Sequence, residues 1–370
     1  MKNCLGIINL DENESRMGDL VKDRSLASVP IAGRYRIIDF VLSNMANSGI
    51  EGIGIFTKNR SKSLINHLKN GRPWDLHRKK DGLSIFNFGE KDQLNEDVHN
   101  FEENMEFIRK SRKKYVLISP SYMVCNIDYN KLMDSHIKSN NDITIVYKEV
   151  LDNNENFINC EVLNIDDKNK VKSIGENIAS EKESKARISM EMYIMKIDLF
   201  TNIIYSSIKS GMYSKVKQYI KGNLNNLNVG GFEFKGYLAC INSTKAYFDM
   251  NMDLLDKEIN KELFYDNNPI YTKSQDESPT QYTKDSNVVN SIVANGSYIE
   301  GKLENCIVGR RVYIAEGTTI SNCIILQNSV IGPNASMDNV ITNKGAVVEM
   351  DQVIRGTQDN FVIIPKTRVV

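Results

Sequence analysis

A chain of 370 residues suits two domains better than one, and its 41% hydrophobic and 25% charged residues are the profile of a soluble globular protein. Its 47 basic and 47 acidic residues cancel, which argues against a surface built to grip nucleic acid or an anionic membrane. No apolar run nears the length of a membrane helix, the N-terminal stretch has no small-residue cleavage site, and six cysteines without a C-x-x-C pair read as buried, reduced thiols of a cytoplasmic protein.

In chain order, apolar strands are expected at 4–10, 52–57, 115–119, 142–147 and 189–197. Helical periodicity appears at 35–48, 61–69, 101–111, 129–139, 199–210, 214–224 and 243–255. Strand and helix in turn, with strands apolar on both faces, imply an α/β domain whose mainly parallel sheet is covered by helices on both sides. This domain is expected to span 1–262. Residues 263–287, polar and carrying Pro269 and Pro279, are expected to be a linker. From Val288 the period becomes six. Val308, Ile314, Ile320 and Leu326 are six apart, and Val312, Thr318, Ile324 and Val330 follow each by four. Ile331 and Met337 continue after a slip of one, and Val293 and Ile299 precede in another phase. The pattern predicts a left-handed parallel β-helix over 288–370, each hexapeptide forming one wall of a triangular coil.

The stretch VPIAGRYRIIDFVLSNMANSGI, residues 29–50, resembles the segment after the phosphate loop in ADP-glucose pyrophosphorylases (glucose-1-phosphate adenylyltransferases). Pro30, Gly33, Tyr35-Arg36, Ile38-Asp39-Phe40, Ser43-Asn44 and Asn47-Ser48-Gly49 carry the likeness. Thr57, Ser61, Ser63-Leu64, His67, Gly71 and Trp74-Asp75-Leu76 extend it. The resemblance implies a Rossmann-like nucleotidyltransferase domain followed by the β-helix, a tetramer, and a place in glycogen synthesis. Active members join glucose-1-phosphate to ATP, and that chemistry is positioning plus charge neutralisation around Mg²⁺.

Against that family pattern the chemical parts are missing. The glycine-rich phosphate loop is replaced by Ile8-Asn9-Leu10-Asp11-Glu12-Asn13-Glu14-Ser15-Arg16. Arg16 is kept, but three acids stand where glycines would admit a triphosphate, and that tri-anionic loop is expected to repel it. Leu26 takes the place of the family lysine. Tyr122 and Cys240 take the places of the two magnesium carboxylates, and a tyrosine and a thiol are poor ligands for that hard ion. The degenerate positions Leu26, Tyr122 and Cys240, and a vestigial loop of Asn9, Leu10, Asp11, Glu12 and Arg16, resemble the non-catalytic D-type subunit of the bacterial enzyme.

That likeness implies a regulatory or scaffolding subunit, with no cofactor of its own and Mg²⁺ expected only in a catalytic partner subunit. It implies a homo-oligomer when alone and a hetero-oligomer with the partner. Arg34, Arg36, Lys58 and Arg60 are candidates for a regulatory anion site or an interface, a phosphorylated metabolite being the expected effector. The alternatives are a working transferase that uses substitute residues, and a hexapeptide acyltransferase. The latter is disfavoured because no histidine follows His136 to serve as base. Residues 79–104, acid-rich at Glu90, Asp92, Glu96, Asp97, Glu102 and Glu103, are not expected to hold nucleotide.

Overall fold

The structure, a computed structural model, describes residues 1–58, 60–88, 97–151, 155–178, 185–358 and 360–367; Glu90, Asp92 and Glu96 lie outside them. Two compact units emerge. The first gathers residues 1–12, 40–240 and 267–271, the second 13–39, 241–266 and 272–370. The division is thus not sequential. The change of sequence character in 263–287 marks where the repeats begin, while two earlier segments are compact with the repeats.

The first unit is built on a nine-stranded sheet. Its strands are β1 (Cys4–Leu10), β2 (Gly52–Thr57), β3 (Gly82–Asn87), β4 (Tyr115–Ser119), β5 (Ile143–Leu151), β6 (Glu161–Ile165), β7 (Val171–Glu176), β8 (Lys185–Lys196) and β9 (Val229–Glu233). The order is β7-β6-β8-β4-β1-β2-β3, with β5 on β8 and β9 on β5. Strands β4, β1, β2 and β3 are mutually parallel, and β8 runs antiparallel to β4 and β5. The near-continuous apolar sequences of β1 and β2 follow from burial on both faces. The five expected strands are present. The four others carried weak signals, β9 most of all, because VGGFE contains two glycines. Gly231 is needed there: a Cβ would stand 2.8 Å from both the Tyr147 ring and Ile165 Cδ1.

The helices are α1 (Ile37–Asn47), α2 (Lys62–Leu68), α3 (Asp97–Glu103), α4 (Met105–Lys110), α5 (Tyr129–Ser139), α6 (Ile197–Ser210), α7 (Val216–Gly222), α8 (Thr244–Asp253) and α9 (Lys257–Lys261). Two differ from expectation. Helix 101–111 breaks at Asn104, whose side chain bonds the Asn100 carbonyl at 3.0 Å, so α3 and α4 are separate. Helix 35–48 starts only at Ile37, because Tyr35–Arg36 pair with Pro30–Ile31 and the Asp39 carboxylate accepts the Arg36 N–H at 2.9 Å. The motif that carries the family likeness is scaffolding. Within the first unit, Asn44 bonds the Cys125 carbonyl and the Ile127 N–H, Ser48 accepts from Tyr129, and Ser43 accepts from the indole of buried Trp74 and from Tyr271 N–H.

The second unit contains the left-handed parallel β-helix, three five-stranded parallel sheets forming its walls. Register partners lie 17 residues apart over most of its length, as for Asn305 and Asn322, so the walls count six, six and five residues. This corrects one inward residue. A uniform hexad gives the inward position to Leu326, which is buried, but Ile325 is the one aligned with Val308 and packed with Ile299, Ile314, Ile320 and Ile331. The short wall ends at a corner of left-handed asparagines, Asn290, Asn305, Asn322 and Asn339, the first three linked side chain to side chain at 2.7 and 3.3 Å. Asparagine tolerates this backbone better than most residues. Because each coil buries one aliphatic per wall, Ile314→Ala is expected to cost about 2–5 kcal/mol of stability, read by chemical denaturation of the β-helix.

Candidate functional site

The parallel strands β1 and β4 end side by side, and the loops after them line a cavity in the first unit, the place where open α/β sheets bind ligands. Asn9, Asp11 and Glu12 come from the β1 end, Ser119, Pro120 and Tyr122 from the β4 end. Glu191 and Tyr193 come from β8, Asp97 from the start of α3, and Lys215 and Lys217 from the start of α7. Glu191 reaches the cavity because β8 bulges between Ser189 and Met192 and takes a φ of 52° at Glu191. The cavity is only about 50 Å³, room for a few waters, whereas ligand pockets run roughly 300–1,000 Å³.

Its charges are spent on one another. Asp11 pairs with Lys58 through one carboxylate oxygen and with Lys215 at 2.5 Å through the other. Glu12 accepts from the Ser121 N–H and hydroxyl at 2.8 and 2.7 Å. Lys217 pairs with Glu191 at 2.8 Å; burial would lower its pKa, but Glu191 and Glu161 carry it above the ordinary value. Buried Asp97 accepts from Val216 N–H at 2.9 Å and Asn9 at 3.2 Å. Burial and the charge of Asp11 nonetheless hold its carboxyl up to about 7, against the pull of Val216, Lys215 and Lys217. Glu14, in the second unit, accepts the Leu26 N–H at 2.6 Å. The three acids of the loop each have partners, and Asp11 holds two lysines.

The two positions matched to magnesium carboxylates do come together. Met123–Val124 pairs with Ala239–Cys240, setting Cys240 opposite Met123, next to Tyr122. Burial pushes the Tyr122 hydroxyl well above its ordinary pKa, as do the neighbouring Glu191, Cys240 and Cys160. A neutral phenol and thiols do not fit Mg²⁺, which demands charged or strongly polar oxygens. Among the described residues no cluster of three or more His, Cys, Asp or Glu could hold a metal ion.

The remaining candidates are divided between the units. Lys58 belongs to the first and is the Asp11 partner, and Arg60 follows it, exposed, with a φ of 61°. Arg16, exposed, and Leu26, buried in a short 3-10 turn, belong to the second. So do Arg34 and Arg36, which join further cations, Arg24, Arg310 and Lys344. Burial, then the charges of Arg24 and Arg310, bring the Arg36 guanidinium down to about 10 against the pull of Asp39. Burial and Arg34 lower Arg310, burial lowers Arg24, and burial with Arg36 and Arg24 lowers Lys344. Arg24 is held by the Asn343 side-chain oxygen and Arg36 by the Ser28 carbonyl at 2.8 Å. Arg310 and Lys344 stand outside the aliphatic period of the coil, so the repeat pattern does not mark them. Asp97, Glu191, Lys215 and Lys217 carried no motif at all.

Comparison with known proteins agrees with this fold. The family described as Nucleotidyl transferase matches residues 14–257, and the GlmU-like C-terminal hexapeptide family matches 278–360. The glycogen biosynthesis protein GlgD of Bacillus subtilis (strain 168) is 33% identical over 98% of this chain and 95% of its own length. GlgD of Geobacillus stearothermophilus is 36% identical over 85% and 82%. The glucose-1-phosphate adenylyltransferase of Mycoplasma mobile is 30% identical over 87% and 85%. With a transferase core, a hexapeptide coil and near full-length relatives of both kinds, the chain belongs to the nucleotidyl transferase family, in the branch of glucose-1-phosphate adenylyltransferases and GlgD-type proteins.

Proposed function

We propose that this chain is a regulatory, non-catalytic subunit of a glucose-1-phosphate adenylyltransferase in glycogen synthesis, assembling in the cytoplasm with a catalytic subunit and raising its activity. The observation that carries the reading is the cavity at the strand ends: about 50 Å³, lysines already paired with the chain's own carboxylates, and Tyr122 and Cys240 at the metal positions. The names of the relatives support the pathway and the reaction. In this reading Mg²⁺ works in the partner's site, and this chain alone forms a homo-oligomer. Co-purification with a catalytic subunit and assay of ADP-glucose formation tests it. The expected result is a stable complex with a rate per catalytic chain several-fold above that of the catalytic subunit alone; separate elution with an unchanged rate contradicts it.

Arg24, Arg36, Arg310 and Lys344, with Arg34 beside them, support a phosphorylated metabolite as effector. Cations that lower one another's pKa in a buried setting gain most from a multivalent anion. Calorimetric titration with sugar phosphates and nucleotides is expected to give binding that Arg36→Gln weakens by roughly 10- to 100-fold, the value of one charge-assisted hydrogen bond. Silence at millimolar ligand leaves the cluster a structural one.

A further inference from the structure

Near Tyr122, which lines the cavity, lie two thiols that no phosphate chemistry uses. Cys160 Sγ and Cys240 Sγ lie 3.4 Å apart, buried, on segments 80 residues distant in sequence. Each is fixed by its own backbone. Cys160 donates its N–H to the Phe157 carbonyl at 3.2 Å and accepts the Asn177 N–H at 2.8 Å. Buried Asn177 bonds Phe157 again through its side chain at 3.0 Å. Cys240 sits in the ladder with Met123–Val124. The sulfurs are therefore held in contact, about 1.4 Å beyond the length of a disulfide bond. The second pair of neighbouring cysteines, Cys306 and Cys323, stacks across successive coils of the β-helix, where Cys306 is hydrogen-bonded to the carbonyls of Glu304 and Ile320.

We infer that Cys160 and Cys240 are a redox modification site, closed to an intrachain disulfide by a small hydroperoxide. Cys160 retains 5% exposure and Cys240 1%, so Cys160 meets the oxidant first, and only a small uncharged oxidant fits that access. The Cys160 thiol gives up its proton and attacks one peroxide oxygen. The O–O bond breaks, the hydroxide leaves and takes a proton to become water, and a sulfenic acid remains on Cys160. Cys240 then attacks that sulfur as its own proton is lost. The S–S bond forms, the S–O bond breaks, and the oxygen leaves as a second water. Two thiols and one hydrogen peroxide become one disulfide and two waters, with two electrons passed from sulfur to oxygen. The bond fastens the loop before β6 to the strand that pairs with Met123–Val124, next to Tyr122. The inference rests on thiol geometry and is independent of the proposed regulatory function.

Treatment of the full chain with a few equivalents of hydrogen peroxide, followed by alkylation in denaturant and peptide mapping, tests it. The expected result is a loss of 2 Da, a peptide joining Cys160 to Cys240, and a melting temperature raised by several degrees that dithiothreitol reverses, since the closed loop is long. Cys160→Ser and Cys240→Ser each abolish the cross-link and the shift. Both thiols recovered alkylated, Cys160 recovered as sulfinic acid beside a reduced Cys240, or a cross-link only between Cys306 and Cys323 would each overturn the assignment.

Discussion

Purified alone and given ATP, glucose-1-phosphate and Mg²⁺, this chain is expected to release pyrophosphate at less than about a thousandth of the rate of a catalytic relative. Removing one preorganised charge-stabilising group already costs on the order of 10²–10³ in rate. On the proposed reading several are missing together: the glycine loop, the lysine matched by Leu26, and the oxygens matched by Tyr122 and Cys240. Two lysines that reach the β1 end, Lys58 after β2 and Lys215 at the start of α7, are bound to Asp11, so a phosphate must break those ion pairs before it can use them. A coupled pyrophosphate assay with a catalytic relative as reference reads the ratio. Turnover within tenfold of that relative contradicts the expectation.

The second large effect is on stability and its pH dependence. A carboxyl whose folded pKa is raised binds its proton more tightly folded than unfolded. Its contribution is therefore fully present below the unfolded value and lost as pH climbs through the folded one. For Asp97 the window runs from about 4 to about 7, and over it the penalty of charging the buried group grows to about 4 kcal/mol. Asp97→Asn keeps the size and the acceptor for Val216 N–H, and Asn9 can turn its amide to meet the new side chain. Urea denaturation is expected to find the variant close to the parent at pH 4, ahead of it by pH 5, and more stable by up to that amount at pH 8. Parallel stability profiles for the two proteins, with no gap opening between pH 4 and 8, would show that Asp97 does not carry this charge.

The large architecture was legible because it rests on repetition. Val308, Ile314 and Ile320 repeat at the wall spacing, and the β1 and β2 sequences are apolar almost throughout because both faces are covered. What escaped depends on exceptions to period. The third wall of each coil is one residue short, so a strict hexad chose Leu326 where Ile325 points inward; the asparagines at 290, 305, 322 and 339 were the mark of that corner. The site was legible only as a set of losses, because Leu26, Tyr122 and Cys240 could be set against a pattern. What fills the cavity could not be read in that way. Glu191 depends on a bulge in β8, Asp97 and Lys215 on a meeting of α3 with α7, and Cys160 on an approach to Cys240 across 80 residues. Such pairings follow from tertiary packing and leave no local trace. The residues that made the family evident, among them Ser43, Asn44 and Ser48, hold the framework together, so the likeness is carried by the scaffold.

The most direct measurement pairs this chain with a catalytic subunit whose own magnesium carboxylates have been replaced, and assays the purified complex for ADP-glucose pyrophosphorolysis. With every competent site removed from the partner, no magnesium-dependent turnover is expected above that of the disabled subunit alone. Turnover that needs Mg²⁺ and disappears when Tyr122, Lys215 or Lys217 of this chain is substituted would place a working active site here and contradict the central claim.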